Sequence, residues 1–421
     1  MKKVANFNSQ AQHCISKVVN KAITLTLVSL AINGLFNSNF GKHVQAANCK
    51  NEYNNDVDWF IIYKIPKIEG HEDNVLREGL GYAYLDSEDV NWKYPKKSIE
   101  NSDNALAYTM KQLYDNNDPK DFMFLTYNDQ TPDKKSHSST GHTKGVLMSN
   151  HSAGAWLVHS LPRFPLPVLK KYRLFGNKRN QYVYPPNGAS NGQDFLCMSF
   201  DYSQMLNISQ LIYYNSPYIY DKNLPKEFTS ENQYLQWLSQ KKNINKKPPW
   251  AFTKIFYSLW NKTPFVAFAK YKKFDADIYS DMIAPYYGSN LLSETWQLNS
   301  KQALNSSCLK QPTVQNIKEI SFDIISNNTN QVLDCQRKIS FSELNDHSKW
   351  AITSFDTNNA VKTNDKNSGD SRPVVCIGDL NRGYPQKKRS GGMVCTENLE
   401  LWKSFMKIIS DIEACPLKPK H

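Results

Sequence analysis

The chain has 421 residues, of which 40% are hydrophobic and 12% aromatic, and a formal net charge of +12. That length holds one large domain or two ordinary ones, and that composition excludes a largely disordered chain. No stretch beyond residue 46 is apolar enough to span a bilayer, which excludes a protein of several membrane helices.

In the first 46 residues, Lys2, Lys3, Lys17 and Lys21 precede the apolar run "AITLTLVSLAINGLF" (22–36). In "HVQAA", Val44 and Ala46 stand at the small-residue positions of a cleavage site. Residues 1–46 are therefore expected to be a signal peptide, with a signal anchor as the alternative, leaving 47–421 as the mature domain. Five lysines and no acid lie in that leader, so the remainder carries +7. Its basic residues cluster in "KKYRLFGNKR" (170–179), "KKNINKK" (241–247) and "KKR" (387–389), which attract polyanions or simply keep the surface soluble.

Cys49, Cys197, Cys308, Cys335, Cys376, Cys395 and Cys415 follow the leader, widely spread and without a C-x-x-C pair. The spacing argues against a zinc ribbon and for long-range disulfides in an oxidising compartment, with one thiol left over. Sequons at Asn207, Asn261, Asn305 and Asn327 fit a secreted glycoprotein, and Asn150 begins a fifth.

Along the mature chain, "VDWFIIYKIPK" (57–67), "GLGYAYLD" (79–86) and "DFMFLTYND" (121–129) read as strands, and 87–105 and 132–141 as loops. "GVLMSN" and "AWLVHSLP" resemble the two arms of a hairpin around His151 to Gly154, and "DFLCMSF" (194–200) is a buried strand. The middle, 203–300, looks more helical, with Ser230 and Gln233 of "SENQYLQWLSQ" resembling a capping box. Strand signals resume at 319–325, 350–355 and 374–380, and 396–414 has helical periodicity with Leu401, Phe405, Ile408 and Ile412 on one face. The order predicts an α+β protein with two strand-rich halves.

Two motifs carry chemistry: His142-x-Lys144 in "GHTKGVLM" and His347-x-Lys349 in "DHSKW". On a strand, residues i and i+2 share a face, so each motif presents an imidazole beside an ammonium. A neutral imidazole can attack phosphorus while lysine balances charge on the phosphoryl oxygens, and two sets supply a nucleophile and a general acid. Taken singly, the pattern is far commoner as a solvated surface pair.

"VDWFIIYKIPK", "LTYNDQTP", "GHTKGVLM", "WLVHSLPRFP", "GQDFLC", "FAKYKKF", "DHSKW" and "CIGDLNR…RSGGMVC" resemble, in the same order, the landmarks of the deoxyribonuclease II family from about 49 to 415. The resemblance implies an acid endonuclease acting on DNA without a metal or other cofactor and leaving 3′-phosphate ends. It implies a phospholipase-D-like pseudo-dimer: two sheet-centred halves flanked by helices, at about 47–200 and 250–421. His142, Lys144, His347 and Lys349 become the catalytic sets, His159 a further family histidine, and Gln193 and Asn381 phosphate-binding or orienting residues. His159 reads equally well as a hydrogen-bonded histidine at a strand end. The destination implied is extracellular, with the lysosome as alternative and no stable membrane association.

The sequence departs from the family pattern in two places. Asn150 stands where the family usually has Asp, and Ala351 where Cys usually follows "DHSKW". Cys49–Cys197 and Cys308–Cys395 are the expected disulfides, with Cys335 or Cys415 as substitutes for the usual partner of Cys376. A catalytically impaired secreted member that binds DNA or a host protein is the competing reading, and a lipid phosphodiesterase a further one.

Overall fold

The computed structural model describes residues 47–115, 119–168, 181–242, 244, 247–297, 301–309, 311–325, 336–354 and 372–415. The leader, the cluster at 170–179, Cys335 and Asn327 lie outside them. Strands β1 (Cys49–Lys50) and β2 (Asp56–Val57) form a short ribbon. The first large sheet contains β3 (Trp59–Lys64), β4 (Tyr82–Asp86), β5 (Met123–Asn128), β6 (Lys144–Ser149), β7 (Ala153–His159), β8 (Gln193–Asp201) and β9 (Ile219–Asn223). Their order is β4-β3-β8-β7-β6-β5-β9.

The second sheet is built from β10 (Ala251–Tyr257), β11 (Pro264–Lys270), β12 (Asn290–Thr295), β13 (Val314–Ile325), β14 (Gln336–Ser342), β15 (Lys349–Ser354), β16 (Val374–Gly378), β17 (Gly391–Glu397) and β18 (Ile409–Ile412). It runs β10-β11-β17-β16-β15-β12-β13-β14, with β18 also on β13. The antiparallel run β3-β8-β7-β6-β5 is thus matched by β11-β17-β16-β15-β12, also antiparallel. β6 and β15 hold the same place, and each begins at the lysine of a His-x-Lys.

The strands of continuous apolar sequence are buried on both faces. On β11, Phe265, Ala267 and Ala269 face the main core, while Val266 and Phe268 face a second cluster with Tyr279, Ile283, Met393 and Cys395. The main core joins both sheets: Trp59, Tyr63, Leu147 and Trp156 from the first pack with Phe265, Trp350, Ile352 and Val394 from the second.

Four expectations need correction. The middle is helical at 205–214, 226–231, 233–239 and 279–287; aromatic and β-branched runs at 251–257 and 264–270 make strands instead. The capping box at Ser230 gives way to Asn232, whose side chain accepts from the amides of Tyr234 and Leu235 and starts a helix at Gln233. The C-terminal helix spans Leu399–Lys407 only, because Ile409–Ile412 finds the open edge of β13 and becomes a strand.

The fourth concerns disulfides. Cys49–Cys197 forms as expected, but Cys308 bonds Cys415, and Cys395 bonds Cys376. The β16–β17 register sets Cys376 directly opposite Cys395. Ala351 lies opposite Cys376 on the other side.

Candidate active site

His142 precedes β6 in a loop pinned by the second sheet. Its amide donates to the carbonyl of Ser390 at 2.8 Å, and its ring Nδ1 lies 2.7 Å from the carbonyl of Asp379. A carbonyl only accepts, so Nδ1 carries the proton and Nε2 keeps its lone pair. Lys144 donates to Asp129 Oδ1 at 2.6 Å, with both side chains 4% exposed. Asp129 follows β5, where the β5–β6 register sets Asn128 opposite Lys144. Arg389 reaches the other oxygen of Asp129 at 3.3 Å and the carbonyl of Thr140 at 3.2 Å.

The second motif is pinned by the first sheet in return. His347 donates its amide to the carbonyl of Gly192 at 2.9 Å, and Gly192 donates to Asn345 at 2.8 Å. A Cβ on Gly192 would sit 2.2 Å from Asp346 Oδ1, so only glycine permits this approach. The amide of Lys349 donates to Asp194 Oδ2 at 2.6 Å, and its ammonium to the carbonyl of His347. Trp296 packs its ring 4.4 Å from that of His347. Beneath them, on the opposite strand face, Asp346 accepts from Tyr63 of β3 and from Ser348.

Two buried lysines steady the loops. Lys64, ending β3, donates to the carbonyls of Gly79 and Ala189 at 3.1 and 2.8 Å. Lys270, ending β11, donates to those of Gln386, Lys387 and Arg389 at 3.1, 2.8 and 2.6 Å. Burial holds Lys64 down to about 7 and Lys270 down to about 8. Each therefore organises a backbone turn beside a motif.

The two motifs share one electrostatic field. His142 is held well below its usual range by burial, then by Lys144, with Lys349 and Arg389 adding. His347 is pushed down to about 3 by burial, then by Lys349 and Lys144. Asp129 stays ionised because Lys144, His142 and Arg389 outweigh its burial. Burial pushes Asp379 up to about 7, raises Asp194 and lowers Lys349. Lys144 and Arg389 thus face the ionised Asp129, and Lys349 adds its charge at both histidines, an arrangement that attracts an anion.

The other sequence candidates fall around this centre. Gln193, buried at the start of β8, accepts from Ser160 Oγ at 2.5 Å and adjoins Gly192 and Asp194. Asn381 is two residues from Asp379, and its Oδ1 has no protein partner. His159 is fully buried, its ring between Phe164 and Phe195 at 5.3 and 5.7 Å. Asn150 lies in the turn after Ser149, about 20 Å along the strand from Lys144. It accepts from Ser152 and Ala153 and so holds that turn, away from the histidines.

The deoxyribonuclease II family model matches residues 48–415. The chain belongs to the deoxyribonuclease II family. Plancitoxin-1 of Acanthaster planci is 35% identical over 88% of this chain and 93% of its own length. Deoxyribonuclease-2-alpha of Rattus norvegicus is 33% identical over 88% and 95%. Deoxyribonuclease-2-beta of Homo sapiens is 33% identical over 87% and 91%.

For this deoxyribonuclease II chain, sequence reasoning missed Asp129, Asp194, Arg389 and the carboxyl of Asp379. Asp129 and Asp379 lie inside "LTYNDQTP" and "GDLNR", yet nothing in those strings tells which residue turns inward. Arg389 was visible only as part of a basic cluster. Among the described residues, no three His, Cys, Asp or Glu are grouped to hold a metal ion.

Proposed function

We propose that this chain is an acid-active DNA endonuclease that hydrolyses phosphodiesters without a metal ion and leaves 3′-phosphate ends. The observation that carries the reading is the reciprocal pinning of the two His-x-Lys motifs, each held by the opposite sheet. His142 attacks phosphorus through Nε2, the nitrogen left free by the Asp379 carbonyl. The Nε2–P bond forms, the P–O5′ bond breaks, and His347 gives its proton to the departing O5′. Water then attacks phosphorus and passes a proton to His347; the P–N bond breaks and the 3′-phosphate product leaves. Lys144, Lys349 and Arg389 balance the charge on the phosphoryl oxygens. Gln193 and Asn381 orient the phosphate, and His159, enclosed among aromatic rings, supports β7 beside the site.

The matched strand orders support a phospholipase-D-like pseudo-dimer, one half around each sheet. The leader and the disulfides support entry into the secretory route, with delivery outside the cell or to the lysosome. No helix among the described residues is long and apolar enough to cross a membrane.

The test uses a nucleoside 3′-phosphate carrying a 4-nitrophenyl ester, whose leaving group needs no proton, in excess chelator. Rapid quench should trap phosphate on His142 in the wild type. His347→Ala should still form the adduct and hydrolyse it slowly, and His142→Ala should form none. Label on His347 in the His142→Ala protein would reverse the roles. Loss of activity in chelator, or 5′-phosphate ends on cleaved DNA, would overturn the proposal.

A further inference from the structure

A cleft of about 170 Å³ opens beside the site, lined by Thr140, Tyr218, Trp237, Lys241 and Lys242 among others. It is smaller than the ~300 Å³ of a typical small-molecule pocket, so it takes one flat group. Tyr218 and Trp237 are half-buried, and both lysines are exposed. The ammonium of Lys242 lies 4.5 Å from the centre of the Trp237 ring, and that of Lys241 6.0 Å from the Tyr218 ring. His137 stacks on Tyr218 at 3.4 Å and 8° between planes. That contact fixes the tyrosine ring in orientation.

The cleft reaches the loop that carries His142. Thr140 forms part of its wall, its carbonyl accepts from Arg389, and His142 is two residues further along. Gly141 donates to the carbonyl of Ser216 at 2.7 Å, joining the cleft's 216–219 wall to the histidine loop. Two residues span at most roughly 7 Å of chain, about two base steps of DNA.

We propose that this cleft is a nucleobase subsite: one unstacked base of the DNA strand enters between Tyr218 and Trp237, next to the phosphodiester being cleaved. The chemistry is that of single-strand recognition, in which aromatic faces stack on bases of any sequence and lysines follow the backbone. Without DNA, Lys241 and Lys242 rest over the rings. On binding they give up the ring faces to the base and turn to the flanking phosphates. The proposal rests on the nuclease reading and adds to it that one base leaves the stack at the point of cleavage.

The test measures binding in a His142→Ala background of the mature chain, with a fluorescent single-stranded oligothymidylate and an abasic oligomer of equal length. Tyr218→Leu should raise Kd for oligothymidylate about tenfold, within the range of losing one stacked base. It should leave Kd for the abasic oligomer unchanged, and Tyr218→Phe should match the parent. Lys241→Gln with Lys242→Gln should weaken both ligands and lower the salt slope by about 1.4, the single-strand value for two phosphate contacts. Equal loss on both oligomers in Tyr218→Leu, or no loss on either, would overturn the subsite. Absence of DNA cleavage by the wild type would instead sink the nuclease reading and leave these binding ratios as measured.

Discussion

His347 must carry a proton to serve as an acid, yet its surroundings hold it down to about 3. The second cause after burial is positive charge from Lys349 and Lys144, and a phosphodiester arriving between the lysines offsets that charge. In the proposed mechanism substrate therefore loads the acid, and a low ambient pH makes loading easier. Proton NMR of the His347 ring should show its titration moving upward when inorganic phosphate or oligonucleotide binds; an unmoved titration would rule this coupling out. Asp129 plays the opposite part, since it raises His142 while holding Lys144. Asp129→Asn leaves a buried ammonium with a neutral partner, and such a loss costs about 3–5 kcal/mol. Guanidinium unfolding should report that destabilisation, and the His142 titration should fall further.

Among the elements, the strands with continuous apolar runs were legible because burial on both faces leaves no polar alternation to misread. The hairpin around His151 was legible for the same reason. Helix ends were not: Asn232 caps in place of Ser230, and Ile409–Ile412 changes state because the part of β13 beyond β12, 90 residues earlier, accepts it. The His-x-Lys spacing was readable from local sequence, whereas its partners come from segments about 150 to 240 residues away. That pairing is a property of the docked sheets.

Two expectations belong to this scale. Gly192→Ala drives a Cβ into Asp346, and overpacking of this kind costs about 1–3 kcal/mol. Because the collision lies between β8 and the loop before β15, turnover should fall with it while the disulfides stay intact; unchanged turnover would show that the loops yield freely. Among the sequons, Asn261 and Asn305 are exposed, whereas Asn150 is buried with its Oδ1 engaged in the turn. Glycopeptide mass spectrometry should find sugar on the first two and none on Asn150, for reasons of access rather than nearness to the catalytic centre.

For the whole molecule, buried titrating groups set opposing pH dependences. His142, His159 and His347 have folded values below the unfolded one. Their stability contribution is complete above about 6.5 and lost as the pH falls toward the folded values. Asp379, raised to about 7, contributes the reverse: its stability is complete below about 3.9 and lost as the pH rises through 7. Asp194, Asp346 and Glu294 are raised by burial as well and act in the same sense. The carboxyls therefore favour an acid environment that the histidines resist. Asp379→Asn should raise the thermal midpoint at pH 7 and leave it nearly unchanged at pH 4; an equal gain at both would mean that the carboxyl stays ionised throughout.

His142 sits a third of the way along the chain, but the backbone groups that pin it, Asp379 and Ser390, are among the last to be made. A ribosome translating this protein thus releases His142 early and its anchor late. Until nearly the whole polypeptide has emerged and the sheets have docked, the imidazole has neither its fixed tautomer nor its counterpart from the other motif. A product truncated before these residues would lack both carbonyls that hold His142.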